Sequence, residues 1–128
     1  MKLSELKSKF TVSSPKLVTV KTQLEWKNKK TNKVTVTILP GAQVNVYFVE
    51  QYPNSLLVEV PNAQDEVKST TITSAYRKFS GFNKPPTTKT LEKYSWDGVA
   101  KTPTGHRTEP DGYGPDGSPS WLLVIGVV

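Results

Sequence analysis

Between Lys84 and Arg107 the chain concentrates side chains suited to holding phosphate. Lys84, Thr87, Thr88 and Lys89 fall together, Lys93 follows one helical turn later, and Lys101, Thr104, His106 and Arg107 share one short loop. Ammonium and guanidinium groups neutralise phosphate, hydroxyls donate to its oxygens, and the open N–H groups at a helix start favour an anion. Gly105 supplies a flexible tip, and Arg107 beside it has the reach for a phosphate or a minor groove. The same residues also fit a blander account: a solvated helix face, followed by a surface loop with no partner.

Local signals set the elements that must carry these side chains. Thr87 is placed to N-cap a helix running TKTLEKYSW, 87–96 with its cap, with Leu91 and Tyr94 facing inward and Asp97-Gly98 ending it. Upstream, Ile72, Ala75, Tyr76 and Phe79 recur at i, i+3, i+4 and i+7, a second helix that Gly81 terminates. Pro85-Pro86 cannot continue that helix, because proline lacks the N–H and clashes with the preceding turn. Downstream, Ser118-Pro119 reads as an N-cap and first residue for WLLVI, although its Val and Ile content fits a buried strand equally well. Residues 121–128 are expected in the core, and Trp96 and Trp121 are expected to anchor the two halves of the chain.

The first half has a different period. Leu3, Leu6 and Phe10 make a short amphipathic helix, after which apolar residues alternate. Val18, Val20, Leu24 and Trp26 share one face; Val34, Val36 and Ile38 share another; Val44, Val46 and Phe48 a third; LLVEV closes the series. Residues 16–60 therefore predict a four-strand antiparallel meander, with KNKKTN and Pro40-Gly41 among its turns. Tyr47 and Asn45 fall on the opposite face of the third strand, which in an exposed setting suits stacking on a base. The polar stretch PNAQDEVKSTT marks an internal boundary, dividing the chain into 1–62 and 63–128.

The order helix, turn, helix, Asp-Gly stop and basic loop resembles the winged helix-turn-helix of the MerR and phage-excisionase type. The matching residues are Thr90, Leu91, Tyr94, Asp97, Gly98, Thr102, Pro103, Gly105, His106 and Arg107, within roughly residues 70–108. The resemblance implies that helix 87–96 is a recognition helix and that loop 101–107 is its wing. Two departures stand against it. Pro85-Pro86 lengthens the inter-helix turn, and Glu109, Asp111 and Asp116 place carboxylates beside the wing, where they would repel DNA.

Composition narrows the rest. A net charge of +6 favours a polyanionic partner, while the absence of cysteine excludes disulfides and thiolate metal sites. One histidine argues against a histidine metal site or a catalytic triad. EPDGYGPDG lacks the spacing of an EF-hand calcium loop and reads as two Asp-Gly turns. No nucleophile or substrate pocket accompanies its carboxylates, so no enzyme, cofactor or metal is expected. The charged start and the shortness of the longest apolar run imply a cytoplasmic protein with no membrane partner. The expectation is an α+β fold, an N-terminal β-meander packed on a helical C-terminal half of winged-helix type. Its partner is double-stranded DNA, in the service of a regulator or recombination accessory of a mobile element. The alternative is a non-enzymatic protein-binding module, a virion component or an inhibitor of a host protein, using the sheet and the acidic loop.

Overall fold

The computed structural model describes residues 1–127. Its elements run α1 (Leu3–Lys9), β1 (Lys16–Thr19), β2 (Leu24–Lys27), β3 (Val34–Ile38), β4 (Gln43–Phe48), β5 (Ser55–Glu59), β6 (Val67–Thr71), α2 (Ala75–Lys78), α3 (Thr88–Asp97), β7 (Ala100–Lys101), β8 (Arg107–Thr108) and α4 (Trp121–Ile125). Five strands follow α1 in the first half, and α2, α3 and α4 lie in the second among shorter strands, an α+β arrangement as the periodicities predict. The pairing of the strands differs from a meander.

One antiparallel sheet has the order β1-β4-β5-β6, while β2-β3 and β7-β8 form separate two-stranded units. The strand expected through 16–26 is broken in two. At Val20 the chain still bonds to Gly41 and Ala42 just ahead of β4 and bridges on its other edge to Phe79, where Lys21 donates to the Lys78 carbonyl. The β2-β3 hairpin is thus an excursion, and the turn at Gly41 returns the chain so that β4 pairs with β1 rather than β3. The fourth strand of the sheet, β6, lies in the polar stretch read as a boundary and pairs along its length with β5. Only Val67 of β6 is buried, so this edge strand carries almost no hydrophobic alternation to announce it.

Both faces of the sheet are covered. Val44, Val46, Phe48, Leu56 and Val58 point into the larger core with Ile72, Phe79, Phe82 and Trp121. Val18, Val20 and Leu24 join that core in spite of the break between β1 and β2, so their shared parity survives. On the opposite face Leu3, Leu6 and Phe10 of the N-terminal segment cover Tyr47, Val49, Leu57 and Val67. This corrects the expected exposure of Tyr47: it is buried under α1, with Lys7 over its ring and its hydroxyl 3.3 Å from Glu59. Burial raises the Tyr47 phenol first, and the neighbouring Glu59 carboxylate adds to it.

The C-terminal segment resolves to a helix. Ser120, not Ser118, is its N-cap and accepts from the Leu123 backbone N–H at 3.2 Å. Trp121, Leu122 and Val124 are buried as expected, whereas Ile125 and Val127 are exposed; Val128 lies outside the described residues. Trp96 departs further from expectation: it is 88% exposed and anchors nothing. No helix among the described residues is long and apolar enough to cross a membrane.

Candidate nucleic-acid interface

α3 starts where the two prolines leave the chain extended. Thr87 holds φ −70° and ψ 162°, and its hydroxyl accepts from the Thr90 N–H at 3.4 Å. Gly98, at φ 68°, reverses the chain in the left-handed region that glycine enters without a Cβ clash. Leu91 and Tyr94 rest half-buried against the larger core, and no residue of α3 is fully buried. That leaves Lys89, Glu92, Lys93 and Trp96, spaced i, i+3, i+4 and i+7, exposed on the outer face.

The chain then turns into the β7-β8 hairpin, in which Lys101 stands directly opposite Arg107. Directly opposed residues project to the same face, and like charges there destabilise a strand pair. Between this hairpin and α3 lies a cleft of about 570 Å³ lined by Thr90, Lys93, Tyr94, Asp97, Val99, Ala100, Lys101 and Arg107. Three cations, one from α3 and one from each strand of the hairpin, therefore meet in one place. None of the three forms an ion pair among the described residues, and Asp97 lines the cleft without closing on any of them. Burial raises the Tyr94 phenol.

The tip of the hairpin is locked rather than flexible. Thr102 and Pro103 are buried, and the Asn83 N–H donates to the Pro103 carbonyl at 2.8 Å. Thr104 donates its hydroxyl to Asp116 at 2.6 Å, and His106 Nε2 lies 3.5 Å from the same carboxylate. Lys16 reaches Asp116 from β1 at 3.4 Å, and Ser118 donates to it from both its backbone and its hydroxyl. Burial alone would raise the Asp116 carboxyl; the bonds from Ser118 and Thr104, with the Lys16 charge, outweigh it and hold the group below the usual carboxylate range. The two Asp-Gly turns are present, closed by Gly112 onto the Glu109 carbonyl and by Gly117 onto the Gly114 carbonyl.

The residues singled out from the sequence thus divide into three groups. Lys93, Lys101 and Arg107 converge on the cleft. Lys84, Thr87, Thr88 and Lys89 are exposed at the N-terminal approach to α3, outside the cleft lining. Thr104 and His106 are half-buried and occupied by Asp116. Asp116 in turn spends its charge inside the molecule, leaving Glu109 and Asp111 as the exposed carboxylates of that loop. The exposed Trp96 and the half-buried Tyr94 complete the surface, and helical geometry was the signal for the first. Trp96 lies about 200° around the helix from Tyr94, on the side of the lysines. Compared with known proteins, the chain matches no family model, no curated protein and no solved structure.

Proposed function

We propose that the chain binds double-stranded DNA through α3 and the β7-β8 hairpin. The observation that carries this reading is the unneutralised cation cluster: Lys101 opposed to Arg107, with Lys93 across the cleft and no carboxylate among the described residues paired with any of them. A fold gains nothing by opposing two like charges, and a phosphate between them converts that cost into binding energy. Lys89 and the hydroxyls of Thr87 and Thr88 extend the same positive surface along the helix start, where the backbone N–H groups also favour phosphate. A role as regulator or recombination accessory of a mobile element rests on the resemblance to the MerR and excisionase type alone.

Fluorescence polarisation with a random-sequence duplex and with a single strand, across a salt series, tests the proposal. The duplex is expected to bind with log K falling linearly in log salt. Replacing Lys93, Lys101 and Arg107 together by Ala is expected to flatten that slope by about 2.7, since each phosphate contact contributes about 0.9. Absence of duplex binding at low salt overturns the reading and leaves the protein-partner alternative.

A further inference from the structure

We infer that Trp96 is a base-stacking residue of this surface, and that its ligand is DNA carrying a base that has left the duplex stack. The inference rests on the DNA-binding reading above and adds what the cations by themselves cannot specify. Trp96 is 88% exposed, the most exposed of the large hydrophobic side chains among the described residues. Among the described residues its indole has no hydrogen-bond partner, and it shares the outer face of α3 with Lys89 and Lys93. An aromatic of this size usually contributes its area to a core or an interface, and this one contributes to no core.

The charge around it selects the partner. Lys89, Lys93, Lys101 and Arg107 form no ion pairs among the described residues, against Glu92 and Asp97 on the same helix, which complements a polyanion. Within an intact duplex every base face is covered by its neighbours, so an indole has only groove edges to touch. A bulged or overhanging base offers an open π-face, on which a tryptophan stacks without regard to sequence. The cations hold the flanking backbone while the indole takes the base.

The experiment compares wild type, Trp96→Ala and Trp96→Phe on a labelled intact duplex and on the same duplex with one unpaired nucleotide. Wild type is expected to prefer the bulged duplex severalfold. Trp96→Ala is expected to bind the bulged duplex about tenfold more weakly and to lose the preference, with Trp96→Phe retaining most of it. The salt slope is expected to be unchanged in both variants, because stacking releases no counterions; this separates stacking from a loss of charge contacts. Indole fluorescence is expected to be quenched on binding in wild type and not in Trp96→Phe, where Trp26 and Trp121 remain. Equal binding of both DNAs by wild type and Trp96→Ala, with the lysine and arginine variants still defective, overturns the stacking role but not the DNA reading, and makes the indole an anchor for a protein. Absence of DNA binding by wild type overturns both.

Discussion

β5 and α3 are both short elements resting on the same core, and they use their residues in opposite ways. Leu56, Leu57 and Val58 of β5 are each buried, two toward the larger core and one toward α1. α3 is twice as long, with ten residues against five, yet buries none of them fully and keeps only Leu91 and Tyr94 against the core. The sheet therefore supplies the stability. α3 is held by its cap, its glycine stop and two side chains, and its outer face is free to serve recognition. Stability and candidate function are thus separable by mutation, which makes the contrast testable.

The largest expected effect is at the sheet. Leu56→Ala removes a side chain with no exposure, and such a cavity costs about 2–5 kcal/mol; denaturant unfolding is expected to show the loss. If binding per folded molecule falls as well, the separation of sheet from surface is wrong. A smaller effect is expected at the joint between the two regions. Asp116→Ala strips the shared acceptor from Thr104, Ser118, His106 and Lys16, at a cost of about 1–3 kcal/mol. Because the folded Asp116 titrates below its unfolded value of 3.8, its contribution is complete above that pH and is lost as pH falls through the lower folded value. The wild-type minus Asp116→Ala stability difference is expected to shrink with acid over that range; a difference that is flat or grows would show that the carboxylate is not stabilised by these bonds. Asp65 and Glu66 also titrate low, at the α1 end, but remain in both proteins and cancel in the difference.

The smallest effect on stability is expected where the effect on binding is greatest. Ala at Lys93, Lys101 and Arg107 is expected to leave unfolding within about 0.5 kcal/mol of wild type, with a slight gain from relieving the opposed pair as the sharper outcome. A loss of several kcal/mol would mean that these cations serve the fold.

The residues show why some of this was legible beforehand. Thr87 and Gly98 act through contacts within a few residues of themselves, so the bounds of α3 follow from spacing. Helical periodicity puts Leu91 and Tyr94 on its inward side, although the core they meet is distant in sequence. The parity of Val18, Val20 and Leu24 was readable for the same reason, and it held although the strand broke. Strand pairing was not readable. Val34, Val36 and Ile38 alternate as well as Val44 and Val46, and nothing local says that β4 prefers β1 to β3. β6 was hidden because an edge strand buries one residue, and its threonines resemble a loop. Tyr47 was misplaced because alternation gives two faces without saying that α1 covers the second.

By itself, then, the sequence determined the periodic elements, the caps and stops of α3, and a cation-rich stretch from Lys84 to Arg107. These depend on backbone geometry and on neighbours along the chain. Only the tertiary structure decided which of those cations meet. It drew Thr104 and His106 inward onto Asp116, opposed Lys101 to Arg107 across the cleft from Lys93, and left Trp96 in solvent. The first of those outcomes turns on a distant segment, with Asp116 held by Lys16 from the far end of the chain, and local spacing carries no record of such a partner.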